Sequence, residues 1–216
     1  MDELVGWGML AVAATSAAIG QLRRAAERRR ARRELRTKPV LDPSTTEGDV
    51  VRVTGIVRAI EPLTAPLSGR ECVVYRSRVD ATSLLFRREA PRGRHEAIRL
   101  SPFVIDRGAE GTVLVDGTHA LLDLPALKLG DDRARREQFL LSHGVPIREV
   151  ARARFEETIV EPGMTVSVAG LIMLDTAEEP SSVERHFREA PPPTLRLTGN
   201  ADHPLAIGAG LEENRA

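Results

Sequence analysis

The chain has 216 residues, enough for one well-packed domain with additional segments or for two small domains. Hydrophobic residues make up 42 % of the chain and aromatic residues only 3 %, so the core must be mainly aliphatic, and a stacking platform for nucleic-acid bases is disfavoured. The 31 basic and 31 acidic residues give no net charge, and the single cysteine excludes an internal disulfide and a cysteine-rich zinc site.

Charge is distributed unevenly along the chain. Residues 1–40 contain nine basic and four acidic side chains, and the remainder contains 22 basic and 27 acidic ones. A basic N-terminal region therefore precedes a mildly acidic body. Nearly all the basic residues are arginine, which is typical of an arginine-rich bacterial genome and makes single arginines weak indicators of function.

The first element is an uncharged run, LVGWGMLAVAATSAAIG, at residues 4–20. As a helix it would be about 25 Å long, near the lower limit for spanning a bilayer. Its positive charge follows the apolar run, unlike that of a secretory signal peptide. We predict a transmembrane anchor at residues 1–21, with the N-terminus outside and the larger part of the chain in the cytoplasm. The alternatives are a helix packed on the body and a helix lying in the membrane interface.

The arginine-rich segment that follows is made of good helix formers, and Glu34 is placed to pair with Lys38 one turn later. We predict a juxtamembrane helix and linker at residues 22–45 that contacts anionic lipid. The alternative is a nucleic-acid patch. The basic side chains predicted to lie next to the membrane are Arg23, Arg24, Arg28, Arg29, Arg30, Arg32 and Arg33.

The body changes to short strands. Strands are expected at residues 50–60, 71–79, 155–173, 195–197 and 205–207, with a hairpin at 101–122 and one helix at 131–144. We therefore predict a mainly β (α+β) domain over residues 46–208, namely a small, bent, antiparallel OB-like β-barrel with one helix, preceded by the transmembrane helix. Residues 209–216 are expected to form a flexible tail.

Two segments of the body resemble each other, EGDVVRVTGIV at residues 47–57 and EPGMTVSVAGLI at residues 161–172. Each has a turn glycine, two valines in alternation and a second glycine, Gly55 or Gly170. A glycine inside a strand often marks a bulge or a sharp bend, which small barrels use to curve their sheet.

Three stretches together resemble the GIDE domain, also called the "beside a membrane" (BAM) domain. They are TAPLSGRECVVYRSRV (64–79), SPFVIDRGAEGTVLVDG (101–117) and RFEETIVEPGMTVSVAGLI (154–172), and the resemblance covers residues 48–175. The positions that match the family's motifs are Pro66, Leu67, Gly69, Cys72, Tyr75, Pro102, Phe103, Asp106, Gly111, Glu157, Gly163 and Gly170.

The resemblance implies a membrane-proximal domain similar to part of the mitochondrial membrane-anchored E3 ubiquitin ligases. Those proteins carry a second membrane helix and a RING, and a RING needs paired Cys and His ligands for two zinc ions. The sequence has no cysteine after Cys72, so the ligase activity is not expected to transfer.

No residue stands out for catalysis, for cofactor binding or for metal binding. Cys72 lies in an apolar strand and is expected to be a buried, inert thiol, and the five histidines show no paired metal spacing. The carboxylates Glu156, Glu157 and Glu161 cannot be assigned a catalytic geometry from sequence. No phosphate-binding loop, dinucleotide fingerprint or nucleophile elbow is present.

The hypothesis that these observations favour is a non-catalytic, membrane-anchored interaction or sensing module that needs no cofactor. It would bind membrane lipid and a protein partner of unknown identity, and could form a homo-oligomer. The alternatives are a role in protein ubiquitination, directly or with a separate RING protein, and an OB-like nucleic-acid binder, although nucleic acid is not an expected partner. The loops Thr64–Arg70 and Arg87–Arg99 are the candidate binding surfaces.

Overall fold

The computed structural model describes residues 22, 25–80, 94–147, 150–151, 153–174 and 195–210. Within these ranges helix α1 covers residues 25–37 and helix α2 covers Arg133–Ser142. The strands are β1 (Val50–Ala59), β2 (Leu63–Thr64), β3 (Glu71–Cys72), β4 (Val74–Asp80), β5 (Arg94–Leu100), β6 (Phe103–Asp106), β7 (Thr112–Gly117), β8 (Ala120–Asp123), β9 (Arg154–Val160), β10 (Thr165–Leu174), β11 (Leu195–Gly199) and β12 (Leu205–Ala209).

Five strands close into a barrel in the order β1-β6-β7-β11-β10 and back to β1, while β12 and β8 extend the sheet from β10. The prediction of a mainly β domain built on a small barrel is confirmed. The barrel is not wholly antiparallel, however, because β11 pairs with β7 in parallel. A parallel pair requires a long crossover, and the chain between β7 and β11 contains three other strands and α2.

The two similar sequence segments form β1 and β10, which pair with each other. Their valine and glycine positions are in register, with Val51 opposite Gly170 and Gly55 opposite Val166. A Cβ atom on Gly55 would lie 2.4 Å from the Asp106 carbonyl oxygen, and one on Gly170 would lie 2.6 Å from a methyl group of Leu205. Both glycines lie where their strand changes neighbours, β1 from β10 to β6 and β10 from β12 to β11, as expected for bends in a barrel.

The barrel core is aliphatic, as the composition predicts. Val51, Val53, Val166 and Val168 point into it, and Phe103 is its one aromatic side chain among the described residues. A second sheet, in the order β5-β4-β9, packs beside the barrel. Helix α2 covers this sheet through Phe139 and Leu140.

The ends of α2 follow the sequence signals. The Asp132 side chain accepts a hydrogen bond from the Arg135 amide, 3.1 Å, and so caps the helix. Gly144 follows the last turn with a φ of +70°, a value that favours glycine. The predicted hairpin is also present as β6 and β7, and its turn contains Gly108 and Gly111, both with positive φ.

The arginine-rich segment forms α1 and packs directly on the barrel side, so it is not separated from the domain by a free linker. Its predicted pair is present, with Lys38 Nζ 3.3 Å from Glu34. No helix in the described ranges is both long enough and apolar enough to cross a membrane. The predicted anchor at residues 1–21 lies outside those ranges, as do residues 211–216 of the predicted tail, whereas Ala209 ends β12.

Candidate functional site

The first notable feature is a buried carboxylate that joins two of the segments that resemble the GIDE domain. Glu157 on β9 has no exposed surface. Its side chain accepts hydrogen bonds from the Leu67 amide, 2.9 Å, from the Ser68 amide, 2.8 Å, and from the Ser77 hydroxyl, 2.6 Å. No basic side chain of the described part of the chain forms an ion pair with it, so its hydrogen-bond donors there are two backbone amides and a hydroxyl.

Glu157 therefore fixes the segment between β2 and β3, which the sequence analysis treated as a candidate binding loop. In that segment Ala65 is fully buried and Leu67 nearly so. Gly69 has a φ of +70°, and a Cβ atom on it would lie 2.4 Å from the Arg135 guanidinium carbon. The segment Thr64–Arg70 is thus anchored in its middle by Ala65 and Leu67, whereas Thr64 and Arg70 at its ends are exposed.

The other family-motif positions also serve the fold. Asp106 accepts hydrogen bonds from the Gly108 amide, 2.8 Å, and from Arg58, 2.9 Å, and these contacts lower the pKa of its carboxyl. Gly111 and Gly163 have positive φ values in turns. The motif positions that lie in strands are Cys72 in β3, Tyr75 in β4, Phe103 and Asp106 in β6, Glu157 in β9 and Gly170 in β10, while Pro66 and Pro102 lie in the segments that precede β3 and β6.

Cys72 is enclosed between strands and is fully buried. Its thiol lies 3.6 Å from the Leu63 carbonyl oxygen. Burial, followed by the negative charges of Glu157 and Glu161, raises the pKa of the Cys72 thiol to about 12. The thiol is therefore protonated at neutral pH, which is the state expected of an inert structural cysteine.

Alkylation of Cys72 in the native protein is expected to be very slow. At about pH 8 a thiol with a pKa of about 12 contains roughly a thousandfold less thiolate than an ordinary cysteine, and burial slows the reaction further. The measurement is the rate at which iodoacetamide labels Cys72, followed by mass spectrometry, for the native protein and for the protein in concentrated guanidinium chloride. Because the chain has one cysteine, the denatured protein is its own control. Native labelling within tenfold of the denatured rate would contradict this account.

The second feature is the contact between α1 and the barrel. Ala31 and Leu35, one turn apart, are buried against Ala169 and Ala206 of the sheet. The fit is close, because a Cβ atom on Gly208 would lie 2.6 Å from Leu35 Cδ1. One narrow apolar stripe therefore holds an otherwise highly charged helix in place.

Ion pairs hold α1 on both sides of the apolar stripe formed by Ala31 and Leu35. Arg32 donates two hydrogen bonds to Asp123 on β8, at 2.9 and 3.1 Å. Glu27 lies 3.3 Å from Arg76 and 3.1 Å from Arg78, both on β4. Burial lowers the pKa of the Arg76 guanidinium, so this pair of arginines needs its carboxylates.

Glu96 on β5 supplies the second carboxylate, 2.9 Å from each of these two arginines. At the other end of α1, Arg52 donates to the Leu35 carbonyl oxygen, 2.8 Å, and satisfies one of the terminal carbonyl groups of the helix. Together these contacts fix the position of α1 along its whole length.

The outer side of α1 is basic and open to solvent. Arg29, Arg33 and Arg36 are exposed, and none of them forms an ion pair with a described residue. Of the predicted membrane-proximal arginines, Arg28 and Arg30 are also exposed and without such a pair, while Arg32 is engaged by Asp123. Arg23 and Arg24 lie outside the described residues. We call Arg29, Arg33 and Arg36 the basic face of α1.

An open groove of about 640 Å³ lies beside α1. It runs between the helix, the end of β5, the turn from β7 to β8, and the loop that precedes β12. The side chains that matter for its chemistry are Arg30, Ile98, Arg99, His119, Leu121 and Pro204. The sequence does not indicate this groove, whose walls come from four separate parts of the chain.

The described residues contain no group of three or more His, Cys, Asp or Glu side chains placed to bind a metal ion. Comparisons of the chain with protein-family models, with curated proteins and with solved structures find no significant match.

Proposed function

We propose that this chain is a membrane-anchored, non-catalytic module of the GIDE type, which holds its barrel at a fixed position against an anionic membrane surface. The observation that supports this most directly is the docking of α1. The helix is fixed to the barrel by Ala31 and Leu35 and presents its basic face on the opposite side. Each arginine near an anionic surface contributes about 1 kcal/mol to binding.

The position of α1 along the chain adds to this argument. Its continuous described part starts at residue 25, close to the end of the predicted anchor at residues 1–21. Because α1 is packed on the barrel, little free chain separates the barrel from that anchor. A flexible tether would let the domain diffuse away from the surface, whereas a docked helix keeps the barrel beside the membrane.

The barrel itself supports an OB-like domain. If its strands are numbered in chain order, their arrangement is 1-2-3-5-4, with strands 1 and 4 paired and strands 3 and 5 parallel. We propose that this is an OB-like Greek-key barrel with insertions. The motif residues of the GIDE resemblance form turns and buried contacts in it, so they account for a shared fold without implying a reaction.

Carbonate extraction of membranes from cells that express the full chain tests the anchor. The chain is expected to stay in the membrane pellet. Changing Val12 and Ala13 to arginine is expected to release it, because each charge at the centre of a span disfavours insertion by about 3 kcal/mol. The control is Ala26→Arg, the same kind of change on the exposed side of α1. Release of the unchanged chain by carbonate would refute the proposal.

A further inference from the structure

The groove beside α1 has an unusual distribution of charge. Arg30 on α1 and Arg99 on β5 both line it, both are exposed, and neither forms an ion pair within the described part of the chain. No aspartate or glutamate among the described residues lines the groove. By contrast, Arg32, Arg76 and Arg78, which lie nearby, are each paired with carboxylates.

Two guanidinium groups that line one groove and have no carboxylate partner among the described residues suit an oxyanion, because each can donate two parallel hydrogen bonds to phosphate or carboxylate oxygens. His119, in the turn between β7 and β8, adds a third polar group to the groove. Its Nδ1 lies 2.9 Å from the Thr118 hydroxyl oxygen, while Nε2 has no hydrogen bond to a described residue. The imidazole therefore has one nitrogen left for a ligand.

The remaining wall of the groove is apolar. Ile98 is 40 % exposed, and Leu121 and Pro204 lie along the same groove. The volume of about 640 Å³ is within the range of sites for small organic molecules. An inorganic anion would leave this apolar wall in contact with water.

We propose that the groove binds an organic phosphate, with its phosphate between Arg30 and Arg99 and its apolar part against Ile98. The ligand could come from a phospholipid with a monoester head group or from a soluble phosphate ester, since the two share this chemistry. The inference goes beyond the proposed function and does not depend on the anchor, because the residues that form the groove belong to α1 and the β domain.

The experiment uses the full chain in phosphatidylcholine nanodiscs and phenyl phosphate as the probe, followed by saturation-transfer NMR on the ring protons. Phenyl phosphate is expected to bind, and benzyl alcohol, which lacks the charge, is not. Inorganic phosphate is expected to compete at least tenfold more weakly than phenyl phosphate, because it makes no contact with the apolar wall. Arg30→Gln and Arg99→Gln are each expected to weaken binding tenfold or more, since each removes a charge-assisted contact.

Arg29→Gln is the matched control, because it removes the same charge from the next residue of α1 but on the basic face. It is expected to change the affinity less than twofold.

Absence of phenyl phosphate binding, or an equal loss in Arg29→Gln and Arg30→Gln, would overturn the proposal. Adding phosphatidic acid to the nanodiscs separates the two sources: competition with phenyl phosphate identifies a lipid head group, and no competition identifies a soluble ester. A chain that stays in the membrane pellet after carbonate extraction but does not bind phenyl phosphate would refute the proposed phosphate site and leave the proposed function standing.

Discussion

Replacing Glu157 with alanine is expected to lower the free energy of unfolding by about 4 kcal/mol. The carboxylate accepts hydrogen bonds from the Leu67 amide, the Ser68 amide and the Ser77 hydroxyl in a fully buried position. An unsatisfied buried donor costs about 1–3 kcal/mol, and the lost side chain also leaves a cavity. The measurement is urea unfolding followed by circular dichroism.

Glu157→Gln separates the hydrogen bonds from the packing. Glutamine keeps the volume but offers one acceptor oxygen, so one of the two backbone amides is left without a partner and an intermediate loss of about 2 kcal/mol is expected. Glu137→Ala is the control, because this glutamate pairs with Arg133 at the surface of α2 and such pairs contribute less than about 1 kcal/mol. Equal stability of the Glu157→Ala and Glu137→Ala proteins would show that the buried contacts are not needed.

The role of Glu157 could not be predicted from the sequence. It lies among other acidic residues in FEETIVE, and its partners are about ninety positions away in the chain. Hydrogen bonds between such distant segments depend on how the β4–β9 sheet and the β2–β3 segment meet. The resemblance to the GIDE domain includes both segments, but it does not predict that they are in contact.

The barrel was more predictable, because its signals are local. Alternating valines with an internal glycine predict bent strands, and β1 and β10 are those strands. The pair Asp131 and Asp132, either of which could begin the helix, and Gly144 predict the limits of α2 for the same reason, and Asp132 is the residue that caps it. The parallel pairing of β7 with β11 was not predicted. The relative direction of two strands depends on the path of the chain between them, and the residue pattern of neither strand encodes it.

The docking of α1 was also missed, although the sequence contains a signal for it. Ala31 and Leu35 are spaced one turn apart within an otherwise charged helix, which is the spacing of a narrow buried stripe. The many arginines around them suggested a helix exposed on all sides. In the structure the long charged side chains lie to either side of the contact, and two small or apolar residues are enough for close packing against Ala169 and Ala206.

Placing an aspartate at Ala31 is expected to detach α1 from the barrel. Ala31 has no exposed surface, so the new carboxylate would be buried without a partner, at a cost of several kcal/mol, unless the helix moves away. A detached α1 unfolds more readily, which lets trypsin bind the backbone after the arginines at positions 28–36, and cleavage there is expected to accelerate about a hundredfold, as a loss of roughly 3 kcal/mol in the opening free energy implies. Limited proteolysis with mass spectrometry measures the rate and the sites.

Ala26→Asp is the matched control, because it places the same residue on the exposed side of the same helix. Ala26 is exposed, so the new carboxylate stays in contact with water, and this variant is expected to be cut no faster than the unchanged chain. Equal cleavage of the two variants would show that α1 is not held by its buried stripe. If Ala31→Asp alone is cut rapidly and the protein still resists carbonate extraction, anchoring and docking are separate properties: the anchor holds the chain in the membrane, and the stripe holds the barrel to α1.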